Sequence, residues 1–217
     1  MTTPASTSIS RQIPLNEINQ KIQSCRKCHL SETRTNAVPG EGSSNATIVI
    51  VGEGPGRQED LEGRPFVGRA GRLLDEFLIF IKIDRKSVYI TNIVKCRAST
   101  RSSNETTLQQ QARDRKPTSE EIAACAPYLE EQMRIIEPQI ICTLGDTATQ
   151  FILEKHGLKT GNISRIHGRA YSTGRVKIVP MYHPAAALYT AELKDVMKKD
   201  FRRLSGLLSQ TTLESIG

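Results

Sequence analysis

The apolar positions of the chain fall into two alternating patterns. Ala46 to Val51, Ser87 to Val94 and Gln139 to Leu144 are short, nearly continuous runs rich in β-branched residues. They read as strands buried on both faces, because a strand covered on one side only would alternate apolar with polar residues. Lys177 to Pro180 is a fourth, shorter strand. Between the strands the spacing becomes helical. Leu73 to Lys82 has apolar residues at 73, 74, 77, 78 and 81, one face of a helix. Thr118 to Ile136 is a longer helix, opened by Pro117-Thr118 with Glu120 and Glu121 in its first turn, where carboxylates suit the helix dipole. Leu15 to Ser24, Asp146 to Glu154 and Glu192 to Leu208 complete the helices. Strand and helix in this rhythm predict an α/β fold: a four-stranded, mainly parallel central sheet with helices on both faces, in three layers.

At 217 residues the chain can bury the core of one domain, expected over 13–209 with tails at 1–12 and 210–217. One stretch breaks the rhythm. Residues 98–116 (ASTRSSNETTLQQQARDRK) are polar and lack hydrophobic periodicity. A loop of that length in a compact domain is functional, disordered or a solvated insertion, and its arginines could meet phosphates.

Composition narrows the class. Hydrophobic residues are 37% and charged residues 24%, which excludes a disordered or fibrous chain, and no apolar run is long enough for a bilayer. Thirty Lys plus Arg against 23 Asp plus Glu leave a net charge of +7, which favours a polyanionic partner. Aromatics are 5% and Trp is absent, so any stacking on a base rests on a few Phe and Tyr. Met1 to Arg11 is rich in Ser and Thr without an apolar h-region, which argues against secretion. It reads as a frayed tail, with part of a transit peptide as the alternative. A cytoplasmic, intracellular location is expected, with organellar targeting left open.

The five cysteines are too few for a disulfide framework, and in a reducing compartment they are candidates for metal ligation. Cys25 and Cys28 form a CxxC pair on one tight turn, and Cys96 and Cys125 could complete a four-sulfur shell. The spacing matches neither a zinc ribbon nor a thioredoxin-like site. It leaves a structural zinc and a [4Fe–4S] cluster equally open. Cys142, inside Ile140-Ile-Cys-Thr-Leu144, reads as a small core residue.

The glycine-rich turn Gly52-Glu-Gly-Pro-Gly56 follows the first strand without the GK[ST] of a P-loop or GxGxxG spacing. Gly63-Arg-Pro-Phe-Val-Gly-Arg-Ala-Gly71 sets an aromatic between glycines and arginines. Asn92 ends the second strand, and Met181-Tyr-His-Pro-Ala185 follows the fourth. In an open parallel sheet, ligands bind outside the carboxyl ends of the strands, where Glu53, Asn92 and His183 all fall. Each has an ordinary structural role to set against this, Asn92 as a helix cap, His183 as a turn residue and Phe66 as core. Together they read as a site.

CRKC, GEGPGRQED, GRPFVGRAG, YITNIVKC and YHPAAAL, in this order, resemble the motifs of the type 4 uracil-DNA glycosylases, over roughly Leu15 to Leu208. The resemblance implies a uracil-DNA glycosylase-like fold and a monofunctional hydrolase that releases uracil from single- or double-stranded DNA in base excision repair. It implies a [4Fe–4S] cluster on Cys25, Cys28, Cys96 and Cys125. It makes Glu53 and His183 the catalytic pair, and Gly52, Glu53, Gly54, Phe66, Asn92 and His183 the uracil site. Arg57, Arg64, Arg69, Arg72 and Arg169 lie near the motif loops and are candidates for phosphate contacts. A monomer is expected; a sliding-clamp partner is left open but not indicated. The segment between Cys96 and Cys125 is longer than usual for the family and replaces its Pro-rich start with Ala98-Ser-Thr. A superfamily branch that links covalently to DNA carries a histidine in an arginine-rich loop after the second strand, and 98–116 has none. The type 5 branch lacks the acidic residue found at 53. A non-enzymatic iron–sulfur DNA-binding module is the reading from another class, and it would not need Asn92 and His183 at strand ends.

Overall fold

The computed structural model describes residues 5–100 and 112–214, with side chains for 11–100 and 112–210. In chain order its strands are β1 (Glu41–Gly42), β2 (Ile48–Gly52), β3 (Tyr89–Asn92), β4 (Ile140–Leu144), β5 (Tyr171–Thr173) and β6 (Val176–Met181). Its helices are α1 (Ala5–Gln23), α2 (Leu30–Thr33), α3 (Arg57–Glu62), α4 (Arg69–Phe80), α5 (Ser119–Ile136), α6 (Asp146–Lys155), α7 (Ile163–Ile166), α8 (Pro184–Ala187) and α9 (Ala191–Glu214). They form one sheet in the order β1-β3-β2-β4-β6-β5, in which β3, β2, β4 and β6 are mutually parallel.

The expected four-stranded sheet is therefore the middle of a six-stranded one among the described residues. β1 and β5 pair antiparallel at its two edges. With two and three partly exposed residues respectively, they carry no stretch of alternation that a sequence could display.

Alternation along the buried strands builds the three layers. Val49 and Val51 face a core with Leu15, Ile18 and Ile22 of α1, Leu129 and Ile136 of α5 and Ile152 and Leu153 of α6. Ile48 and Ile50 face the opposite core, with Leu73, Leu74, Phe77 and Leu78 of α4 and Met197, Phe201 and Leu204 of α9. The α4 stripe is the one its spacing predicts. Cys142 lies fully buried in the second core, as expected. α5 begins with a capping box: Thr118 Oγ1 accepts from the Glu121 backbone N–H at 3.2 Å, and the Glu121 carboxylate accepts from that of Thr118 at 2.7 Å.

The first helix starts at Ala5, where a tail over 1–12 and a helix from Leu15 were expected. Pro14 and the Ser/Thr-rich start hide its periodicity, and tertiary contacts hold it. Arg11 donates to the Ile136 carbonyl at 2.8 Å and pairs with Glu137, closing the C-terminus of α5. At the other end α9 runs to Glu214, into the expected tail at 210–217. Of the polar insertion, residues 101–111 lie outside the described residues. Its two ends pair: Ser99 bridges Asp114, Thr100 N–H donates to the Arg113 carbonyl at 2.9 Å, and Arg115 N–H to that of Ala98 at 3.0 Å.

The chain leaves β2 toward β3 on one side and returns to β4 on the other. The carboxyl ends of β2, β3, β4 and β6 therefore open together at the switch in strand order, the place where such sheets bind ligands.

Candidate active site

A cleft of about 490 Å³ opens at that switch and is lined by Glu53, Gly54, Phe66, Asn92 and His183, among others. The sequence-predicted residues from three separate strand ends and the loop before α4 are thus brought together.

Gly52 and Asn92 are register partners at the ends of β2 and β3. A Cβ on Gly52 would lie 2.4 Å from Asn92 Oδ1 and 2.7 Å from Phe66 Cζ, so the missing side chain is what lets the three residues meet. Gly52 does not line the cleft; it supports the two side chains that do. Asn92 is 1% exposed, and its Oδ1 is the buried side-chain polar atom without a hydrogen-bond partner among the described residues. Leaving a buried acceptor unpaired costs about 1–3 kcal/mol, so this one is suited to receive a donor from a bound molecule.

Phe66 adopts φ +51, a left-handed conformation costly for a bulky side chain. Three contacts impose it. The Glu59 carboxylate accepts from the backbone N–H groups of Val67 at 2.9 Å and Gly68 at 2.8 Å. Arg85 donates to the Pro65 carbonyl at 2.6 Å. Gly71 lets α4 press against the Phe66 backbone, because a Cβ there would lie 1.8 Å from the Phe66 carbonyl oxygen.

The Phe66 ring stands 5.7 Å from the ring of His183. His183 caps α8, its Nδ1 accepting from the Ala185 N–H at 3.2 Å. Burial pulls the imidazole below the ordinary histidine value, and the Glu59 charge acts the other way without overcoming it. The ring is therefore neutral near pH 7, and since Nδ1 accepts, its proton sits on Nε2. Glu53, half-buried at the cleft wall, follows Gly52 on the glycine turn, whose carbonyls at 52 and 53 accept from the N–H groups of Ile93 at 2.9 Å and Val94 at 3.1 Å.

Cys25, Cys28, Cys96 and Cys125 border one small cavity between α1, α5 and the segment after β3. Arg34 stitches it together, donating to Cys96 Sγ at 3.0 Å and to the carbonyls of Gln23 at 2.9 Å and Cys25 at 2.8 Å. The Lys95 N–H donates to Cys125 Sγ at 3.2 Å. Burial raises both Cys96 and Cys125, the latter to about 11. Among the described residues no group of three or more His, Cys, Asp or Glu is disposed to hold a metal ion.

Arg57, Arg64, Arg69, Arg72 and Arg169 are exposed and lie outside the cleft lining. Arg64 is held by Glu41 through contacts of 2.7 and 2.9 Å, which weakens its claim to a phosphate. The basic residues at the cleft wall are Arg115 and Lys116, from the end of the insertion. Sequence reasoning also missed Glu59. It stands inside GRQED, but its partners at 67 and 68 are backbone groups, which leave no trace in residue types.

The chain matches the family model of the uracil DNA glycosylase superfamily over residues 39–204. It is 44% identical to the type-4 uracil-DNA glycosylase of Archaeoglobus fulgidus, over 89% of this chain and 92% of that one. It is 42% identical to that of Sulfurisphaera tokodaii, over 89% and 84% of the two chains. For the enzyme of Saccharolobus solfataricus the identity is 40%, over 90% and 87%. Matches of this extent, on a chain whose motif residues meet in one cleft, show that it belongs to the uracil DNA glycosylase superfamily, within the type-4 group.

Proposed function

We propose that this protein hydrolyses the N-glycosidic bond of uracil in DNA, releasing the free base and leaving an abasic site. Family membership supports the reaction class. The observation that carries the reading of the site is the buried, unpaired amide oxygen of Asn92 at the wall of the cleft. Uracil offers a donor at N3–H and an acceptor at O4, and an asparagine amide complements both. Cytosine presents the opposite pattern, and a mismatched bidentate contact costs about 1–3 kcal/mol.

The base inside a duplex is out of reach, so it must swing out of the stack at a cost of about a few kcal/mol. The rigidly held Phe66 ring offers a stacking surface worth about 1–3 kcal/mol. As the C1′–N1 bond breaks, its electron pair leaves on the uracil ring. His183 Nε2–H is the donor for the charge that builds on O2, a role worth roughly 3 kcal/mol. A neutral imidazole suits it, since it enters the bond without a charge to desolvate. Water adds its oxygen to C1′ of the cationic sugar. Glu53 lies on the turn beside this position, to orient the water and accept its proton; exclusion of the thymine methyl is the rival role. Glu53→Gln keeps the bulk and removes the base. A large loss of single-turnover rate supports proton acceptance, and near-normal turnover overturns it.

Likeness to the type-4 enzymes favours a [4Fe–4S] cluster over a single zinc, and four cysteines bordering one small cavity are the thiolate set such a cluster takes. Cys25, Cys28, Cys96 and Cys125 would be the ligands. The cluster would supply cross-linking of α1, α5 and the segment after β3, while hydrolysis asks no redox step of it. Iron and sulfide content, with visible absorption of anaerobically purified protein, tests this. About four of each supports it, and a single zinc contradicts it.

A further inference from the structure

Lys95 is 1% exposed, an unusual place for a lysine side chain, and among the described residues no carboxylate pairs with it. Its Nζ lies within hydrogen-bond distance of three neutral oxygens: Thr91 Oγ1 at 2.6 Å, the Asn92 carbonyl at 2.8 Å and Gln132 Oε1 at 2.7 Å. Each acceptor is fixed in turn. Thr91 Oγ1 donates to the Pro39 carbonyl at 2.7 Å. The Gln132 amide donates to the same carbonyl and to Tyr89 Oη, both at 3.0 Å, which settles which end of the amide faces Lys95. The backbone N–H of Lys95 meanwhile donates to Cys125 Sγ. One residue thus ties the end of β3 to α5 from both its side chain and its backbone.

We propose that Lys95 is a positioning residue for Asn92, holding the peptide of the base-reading asparagine so that its amide faces the cleft. The inference rests on the assignment of Asn92 as the uracil-reading residue. A buried lysine with only neutral partners is expensive, and a plain hydrophobic residue would fill the space more cheaply. What the Lys95 nitrogen supplies, and a methyl group cannot, is a directional hydrogen bond to the carbonyl at the last residue of β3. Asn92 Oδ1 has no hydrogen-bond partner to set its rotamer among the described residues, so a backbone held in place contributes to its aim.

The test is a double-mutant cycle on single-turnover uracil release, using the full chain with its cysteine site loaded, for wild type, Lys95→Met, Asn92→Ala and the double variant. Lys95→Met is expected to slow release about tenfold, within the range for residues sharing one hydrogen-bond network. In the Asn92→Ala background the same substitution should cost almost nothing, since no aim is left to lose. An equal loss in both backgrounds makes Lys95 merely structural and overturns the inference, as does a Lys95→Met protein of unchanged rate. If Lys95→Met does not fold, judged by its melting transition and visible absorption, Gln132→Leu takes its place in the cycle. It keeps the lysine and removes one of its three anchors, and the same two outcomes decide. Wild-type protein that releases no uracil would sink the assigned reaction instead, a result distinct from a failed cycle.

Discussion

At the scale of single residues the site depends on contacts too close for any other side chain. Gly52→Ala would drive a methyl into both Asn92 Oδ1 and the Phe66 ring, so both must shift. Overpacking of this kind costs about 1–3 kcal/mol, and here the strain falls on Asn92 and Phe66, the groups proposed to receive uracil. We expect single-turnover uracil release to fall about tenfold or more while thermal unfolding remains cooperative; unchanged release would contradict the Gly52–Asn92–Phe66 geometry. Because burial lowers His183 below the usual 6.5, protonation of its ring is postponed to more acid solution. The acid limb of the pH–rate profile assigned to His183 should accordingly lie below pH 6.5. The Glu59 charge raises this residue, so Glu59→Gln should move that limb further toward acid. A limb at or above 6.5 would mean that His183 is not the desolvated neutral donor described. Asn92, Phe66, His183 and Glu53 were legible in the sequence because they sit at strand ends and in glycine-bounded turns. Glu59, Lys95 and Gln132 were not, since their roles lie in contacts with backbone groups and with residues distant along the chain.

At the scale of elements, legibility followed length and burial. The four parallel strands and the α4 and α5 helices were readable because continuous apolar runs and helical stripes are imposed by cores on both sides of the sheet. The edge strands β1 and β5 were not, being held by pairing with β3 and β6 rather than by burial of their own side chains. Nor was the early start of α1, which a contact from Arg11 to the end of α5 secures. The start of α5 was readable from Pro117-Thr118 and the acidic first turn, and the structure adds that Thr118 and Glu121 close a capping box there. Thr118→Ala should lower stability by about 1 kcal/mol, measured by denaturant unfolding, with uracil release little changed at temperatures where the protein stays folded. A loss well below this would mean that the carboxylate of Glu121 alone suffices to start α5.

At the scale of the molecule, two sites share one scaffold. The short segment from Asn92 to Cys96 lines both, with Asn92 and Val94 at the cleft and Lys95 and Cys96 at the cysteine cavity. Cys125→Ala should therefore reduce both the melting temperature and the rate of uracil release. A variant with its absorption lost but its excision intact would uncouple the two sites. The charge of +7 predicts DNA binding that weakens steeply with salt, read as the slope of log affinity against log salt concentration. Lys116 at the cleft wall is better placed to contribute to that slope than Arg64, which Glu41 holds, or Arg115, which the buried Glu121 carboxylate holds at 2.6 and 2.9 Å. All of this converges on one activity. The most direct measurement is base release from a uracil-containing oligonucleotide, with matched cytosine and thymine strands, by anaerobically purified protein. The account predicts catalytic release of uracil alone, an alkali-labile abasic site, and much slower but measurable release in Asn92→Ala and His183→Ala. Folded protein with its four-cysteine site loaded that releases no uracil from single- or double-stranded DNA would contradict it.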